Sequence, residues 1–227
     1  MECPCCEHLF SQFAPFGRAR RLHAQCPRCG ALERHRLLMI LLRRRTNLFT
    51  DCLRVLHVAP EPGLKAQLSR LPSLEYVTAD LHAPGVMREM DVQKIPFPDG
   101  SFDVILCNHV LEHVTDDHLA MRELYRVCAP GGWAIIQVPI HPSRGHTFED
   151  PSVTSPSERR RLFGQHDHVR AYGHDYPDRL RTAGWQVEVV DALQDLDSTF
   201  IQRHGLRSTF DRHIVFCFRL NVDHQSG

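Results

Sequence analysis

From residue 54 onward, short apolar runs of β type alternate with runs of helical period, and no other feature restricts the fold of this chain so strongly. Residues 54–59, 75–80, 87–92, 102–107 and 132–139 read as strands, and 64–71 and 116–127 as helices. A helix at 176–183 and strands at 185–190 and 213–220 follow, while 192–212 carries no decisive pattern. Strands separated by helices imply parallel pairing with crossover connections, hence an α/β doubly wound sheet with helices on both faces. Ligands of such sheets lie beyond the carboxyl ends of the strands, so the residues that follow each strand are the informative ones.

The first fifty residues are of another kind. Cys3-Pro-Cys-Cys6 and Cys26-Pro-Arg-Cys29 are two C-P-x-C pairs separated by nineteen residues, the spacing of a four-thiolate zinc cage. A two-residue turn brings two sulfurs onto one ion, and the intervening hairpin closes the site from the other side. Cys5, His8 and His23 are alternative ligands; the shared C-P-x-C register favours Cys3, Cys6, Cys26 and Cys29. Four protein ligands leave no position for water, so the expected zinc is structural. Residues 1–31 are thus expected to form a zinc-ribbon module, 32–50 an amphipathic linking helix, and 51–227 the main domain. The other cysteines, Cys52, Cys107, Cys128 and Cys217, mostly lie in apolar segments and read as inert.

Basic and acidic residues balance at 27 each, but Arg18, Arg20, Arg21, Arg28, Arg34, Arg36 and Arg43 to Arg45 crowd the first fifty positions. Such a cluster reads either as a solvated helix face or as a site for RNA phosphates. The sequence as it stands opens without a signal-peptide pattern, and its longest apolar run, 37–42, is far short of the roughly 20 residues of a membrane span. A cytoplasmic protein with no membrane partner is expected.

The strand ends carry specific residues. The first ends in HVAPEPG, residues 57–63, at the place of a nucleotide loop but without its glycine spacing; the second ends in Asp80-Leu81, where a carboxylate can accept ribose hydroxyls. The third ends in Asp91-Val92. Together with NHVLEHV at 108–114 and RELYRVCAPGGWAIIQVP at 122–139, these stretches resemble class I S-adenosylmethionine-dependent methyltransferases of the type 11 group. CPRCGALERHRLL and QHDHVRAYGHDYPDRLRTAGW further resemble a bacterial subgroup with an N-terminal four-cysteine zinc ribbon. The resemblance implies a Rossmann-like seven-stranded methyltransferase sheet with its last strand antiparallel, and S-adenosylmethionine as cofactor. It also implies cofactor contacts at Ala59, Pro60, Glu61, Gly63, Asp80, Leu81, Asp91, Val92 and Asn108. The family's acidic residue and first two glycines are here His57, Ala59 and Glu61, so Glu61 is a candidate replacement for the missing carboxylate.

Within NHVLEHV, His109, Glu112 and His113 also spell H-x-x-E-H, an inverted zinc-protease signature. A protease would need both histidines on one face of a continuous helix, whereas this stretch runs from a strand toward the helix signal at 116, with Thr115 the expected cap. The match therefore reads as coincidental, and His109 and His113 read as catalytic candidates beside the methyl donor. The long segment 140–175 is rich in His, Arg, Asp, Pro and Ser and reads as a lid or acceptor loop. His166, Asp167, His168 and His174 cluster there without metal-ligand spacing; His141, Arg170, Tyr172 and Asp175 are the candidate acceptor contacts. The function expected is methyl transfer to a small-molecule or peptide-sized acceptor. An RNA methyltransferase docking through the basic zinc module, and a noncatalytic cofactor-binding or zinc adaptor protein, are the competing readings.

Overall fold

The computed structural model describes residues 1–17, 20–206 and 212–221; Arg18 lies outside them. A seven-stranded sheet is built from β1 (Leu53–Val58), β2 (Leu74–Asp80), β3 (Arg88–Glu89), β4 (Phe102–Asn108), β5 (Cys128–Gln137), β6 (Gln186–Asp191) and β7 (His213–Phe218). Their spatial order is β6-β7-β5-β4-β1-β2-β3. β1 with β4, β4 with β5, and β2 with β3 run parallel, and β7 runs antiparallel to β5. The order reverses direction at β1 and β4, so a crevice opens beyond their carboxyl ends. Among the described residues there are six helices: α1 (Glu33–Arg45), α2 (Pro62–Leu68), α3 (Asp117–Val127), α4 (Pro156–Phe163), α5 (Tyr176–Thr182) and α6 (Ser198–His204).

Three local readings change. The expected strand at 87–92 shrinks to Arg88–Glu89, because Asp91 turns the chain by accepting the Gln93 amide at 2.8 Å. The cap of α3 is Asp116, whose carboxylate accepts the Leu119 amide at 2.8 Å, in place of Thr115. The segment 140–175 is structured: it holds α4 and a short antiparallel pair, Phe148–Glu149 with Arg170–Ala171.

Contacts divide the chain into two compact units that interleave in sequence. One comprises Met1–Leu53, Pro60–Tyr76 and Val190–Ile214, the other Arg54–Ala59, Val77–Val189 and Val215–Gly227. In the second unit the core is aliphatic and aromatic, with Leu56, Ile105, Leu124, Ile136 and Tyr176 fully buried. The run Val104 to Cys107 is buried throughout, as expected for a central parallel strand covered on both faces.

In the first unit, α1 buries residues 37–42 and packs Leu37 and Ile40 with Leu206 and the side of α6. Its arginines are largely engaged. Arg43 meets Glu7, Arg45 meets Asp195, and the Arg44 guanidinium sits 4.5 Å from the Phe200 ring centroid. Arg36 is completely buried, and its donors reach five backbone carbonyls, those of His23, Ala24, Ala31, His204 and Gly205, at 2.8–3.2 Å. Its guanidinium also lies 4.2 Å from the Phe13 centroid. A planar fork with five donors satisfies this cage; an ammonium with three does not. We expect Arg36→Lys to lower the unfolding free energy by at least about 2 kcal/mol, since each buried carbonyl left without a donor costs about 1–3 kcal/mol. Chemical denaturation checks this, and an unchanged midpoint would contradict it.

Candidate active site and cysteine cluster

In the second unit a cleft of about 560 Å³ lies at the carboxyl ends of the parallel strands. That volume is in the ordinary range for a small-ligand site. Val58 and Ala59 enter it at the end of β1, Asp80 to His82 at the end of β2, and Met90 to Gln93 after β3. His109, Val110 and His113 to Thr115 enter after β4, and Asp167 arrives from the 140–175 segment.

Two of these residues have an unusual backbone. Ala59, with φ 48°, and His109, with φ 56°, are left-handed without being glycine. Strained backbone of this kind costs of order 1–3 kcal/mol and persists only where surrounding contacts enforce it. Here the Ala59 amide donates to the Ala79 carbonyl at 2.8 Å and the His109 amide to the Gln137 carbonyl at 2.7 Å. Each turn is thus pinned to a neighbouring strand, which sends the chain sharply off the sheet and opens the cleft.

The carboxylate of Asp80 has one oxygen, Oδ1, occupied by the amides of His82 and Ala83 at 2.8 and 2.7 Å. These two bonds fix the orientation of the carboxylate at the edge of the cleft. Asp91 is likewise held by the Gln93 amide, and Gln93 Oε1 in turn accepts the Asp116 amide at 2.9 Å. His109 Nδ1 stands 3.3 Å from Oε1 of Glu112, which is 1% exposed. His113 Nδ1 stands 3.4 Å from Asp167, and its ring meets His168 edge-on with centroids 4.8 Å apart. Burial holds the His168 imidazole below its ordinary range, against the opposing pull of the Glu112 carboxylate.

Of the residues singled out from the sequence, Ala59, Asp80, Leu81, Asp91, Val92, His109 and His113 line this cleft. Asn108 is buried at the end of β4. Pro60, Glu61 and Gly63 belong to the first unit. There, a Cβ at position 63 would stand 3.1 Å from Cys5 Cβ, a tight contact, and 3.4 and 3.5 Å from Ala31 Cβ and Cys29 Sγ, so the glycine lets this turn pack close against the cysteine module. His141 is exposed beside Ser143, and Asp175 accepts the amide and hydroxyl of Thr147. Arg170 and Tyr172 are buried, and their hydrogen bonds are spent within the protein. Arg170 donates to the carbonyls of Leu111, Val114 and Thr115 and to Glu149, and the Tyr172 hydroxyl donates to Asp117 at 2.7 Å. The pattern at the strand ends did not single out His82, Gln93 or Asp167; only Asp167 had a sequence signal, its place in QHDHVR.

Asp117 holds this arrangement from below. It is 2% exposed, meets Arg179 through both oxygens at 2.7–3.1 Å, and receives the Tyr172 hydroxyl. Burial pushes its carboxyl up, but the Arg179 hydrogen bonds, the Arg170 charge and Tyr172 outweigh this and hold it below its usual range.

In the first unit the sulfurs of Cys3, Cys6, Cys26 and Cys29 converge, with Cys3 and Cys29 3.6 Å apart and Cys6 and Cys26 3.7 Å apart. A tetrahedral ion with bonds of about 2.3 Å requires sulfurs about 3.8 Å apart, so the cluster matches a small zinc-binding module. Cys5 is not part of it and directs its thiol to the His35 carbonyl. Burial is the main reason the Cys6 thiol is pushed up to about 11, and a bound divalent cation would reverse that shift.

Residues 46–136 match the methyltransferase domain family. Among curated relatives, a malonyl-[acyl-carrier protein] O-methyltransferase of Erwinia billingiae is 44% identical over 55 residues, 24% of this chain and 20% of that protein. An uncharacterized methyltransferase of Mycolicibacterium gilvum is 32% identical over 134 residues, 52% of each. The chain thus spans between a fifth and a half of the length of these two relatives. An S-adenosylmethionine-dependent methyltransferase from Mesorhizobium loti superposes with a TM-score of 0.56 at 18% identity, covering 81% of this chain and 98% of that one. The fold is that of class I S-adenosylmethionine-dependent methyltransferases. This placement accounts for the strand order and for the position of the cleft.

The Asp117 network supplies a test. Because its folded-state pKa is depressed, the stability it contributes is present above the unfolded carboxylate value, near pH 4, and is lost as pH falls through the lower folded value. We expect acid-unfolding curves of Asp117→Asn to be flatter below about pH 4 than those of the unsubstituted protein. Asp117→Ala, which strands buried cations, should cost about 3–5 kcal/mol by denaturant titration; a loss under 1 kcal/mol would contradict the assignment.

Proposed function

We propose that this protein transfers a methyl group from S-adenosylmethionine to a small-molecule or peptide-sized acceptor. The observation that carries the proposal is the convergence in one cleft of Asp80, Asp91 and a Glu112-oriented His109 from three strand ends of a methyltransferase fold. The family match across residues 46–136 supports it. The cofactor's sulfonium supplies an activated methyl group; the protein's part is binding, orientation and proton removal.

Asp80, with Oδ1 fixed by two amides, offers Oδ2 to a ribose hydroxyl, and the Asp91-Val92 turn offers an edge and an apolar face to adenine. The left-handed turn at Ala59 lets backbone approach the ligand closely. His109 is set as the base. Glu112 Oε1 accepts from Nδ1, which leaves the Nε2 lone pair to take a proton from an acceptor hydroxyl or amine. His113, in the same cleft, is assigned to the acceptor side.

The four-cysteine cluster, in this reading, holds a structural zinc ion that supplies folding energy to strands too short to form a core. We place the protein in the cytoplasm, where thiolates stay reduced. No helix among the described residues is long and apolar enough to cross a membrane.

Calorimetry and product release separate the roles. Asp80→Ala should weaken S-adenosylmethionine binding about 10- to 100-fold, the equivalent of a lost charged hydrogen bond of about 1.5–3 kcal/mol. With an acceptor found by screening for S-adenosylhomocysteine release, His109→Ala should keep cofactor affinity and lose about 100- to 10,000-fold in turnover. A chain that neither binds S-adenosylmethionine nor releases its demethylated product would overturn the proposal.

A further inference from the structure

At the floor of the cleft, three residues form a cluster that methyl transfer uses only in part, through Glu112 Oε1 on His109 and the face that His113 turns to the cleft. Glu112 and His168 are 1% and 4% exposed, whereas the His113 side chain is 38% exposed and lines the cleft. One donor atom from each of the three lies within 4.8 Å of the others.

Their hydrogen bonds fix what each atom offers. His168 Nδ1 lies 3.1 Å from the Phe163 carbonyl, which can only accept, so the ring proton sits on Nδ1 and Nε2 carries a lone pair. That Nε2 is buried and has no hydrogen-bond partner among the described residues. Glu112 spends Oε1 on His109, and its Oε2 is also buried without a partner among the described residues. His113 Nδ1 faces the Asp167 carboxylate, which likewise leaves its Nε2 as a lone pair. Glu112 Oε2 and His168 Nε2 are thus buried acceptors with no donor among the described residues, and they belong to residues whose ligand atoms, with one of His113, lie within 4.8 Å of one another. An unsatisfied buried polar atom costs about 1–3 kcal/mol, and more when charged. Something positive belongs between them; a proton would serve one pair, a cation all three.

We propose that Glu112, His113 and His168 form a second metal site, distinct from the cysteine cluster, that takes a divalent transition ion, with zinc the best fit. Two imidazoles and one carboxylate are a borderline donor set that suits zinc. The Asp167 carboxylate and the Phe163 carbonyl occupy the far nitrogens of the two histidines, the outer contacts that orient imidazole ligands. Ligands about 2.1 Å from a tetrahedral ion stand about 3.4 Å apart, so closure requires shifts of about an ångström, which the partly exposed His113 can supply. Three protein ligands leave the fourth position open, and His113 directs it to the cleft. An ion there would bind water or the heteroatom of an acceptor and lower its pKa.

The test is binding, not activity, so its outcome is independent of the methyl-transfer reading. The metal-free full chain is titrated with Co²⁺, whose thiolate complexes absorb intensely in the near ultraviolet while nitrogen and oxygen complexes give only weak visible bands. Two equivalents are expected to bind, one with the thiolate band and one without. In the double variant Glu112→Gln/His113→Ala only the thiolate-bound equivalent should remain, with circular dichroism confirming the fold. Metal analysis after zinc loading and dialysis should give the same two-to-one change. Saturation of the unsubstituted chain by the thiolate-bound equivalent alone, or an unchanged second equivalent in the double variant, would overturn the proposal.

Discussion

A single buried carboxylate, Asp117, sets the geometry of the cleft. It sits on the first turn of α3 with both oxygens engaged, by Arg179 from α5 and by the hydroxyl of Tyr172. Tyr172 is thereby placed to touch the Leu111 carbonyl, and Arg170 beside it binds the carbonyls of Leu111, Val114 and Thr115. Those carbonyls belong to the turn that carries His109, Glu112 and His113. A buried charge is costly unless it is fully paired, so this network has few alternative arrangements. The turn inherits that rigidity, as a site requiring fixed side-chain positions must.

The cleft also depends on where strain is stored. Parallel strands β1 and β4 lie side by side, and each is followed directly by a non-glycine residue of left-handed conformation. Alanine and histidine adopt it here because their amides are tied to adjacent strands. At Ala59 a small side chain keeps the turn narrow. At His109 the same conformation turns an imidazole into the cleft, within reach of Glu112 below it.

The first unit is built on different principles. Its strands are two to five residues long and cannot bury a core. Four sulfurs organise one part of it, and Arg36 ties carbonyls at 23, 24 and 31 to those at 204 and 205. Neutral carbonyl dipoles rather than a carboxylate surround that cation, an arrangement that depends on the five-donor fork of arginine. Gly63 brings its turn close to the cysteine module, where a Cβ would stand 3.1 Å from that of Cys5.

The sequence by itself determined the secondary-structure alternation, the strand-end carboxylates and the cysteine set. Each is a local pattern: hydrophobic period, a residue directly after a strand, a two-residue knuckle. It also indicated that H-x-x-E-H straddles a strand-to-helix turn, because FDVILC is continuous with it. Asp116 in place of Thr115 as the cap, and the shortened β3, were not legible, since both rest on which side chain wins an amide. Arg36 read as part of a solvated or phosphate-binding helix face and Arg170 as an acceptor contact; only the fold shows that carbonyls from distant segments enclose them. The meeting of His168 with Glu112 and His113 was likewise invisible, because the 140–175 segment returns to the β4 turn through Arg170 and Tyr172 and not through any local pattern. Tertiary structure alone decided it, by burying charged and polar groups that could be satisfied only by bringing those segments together.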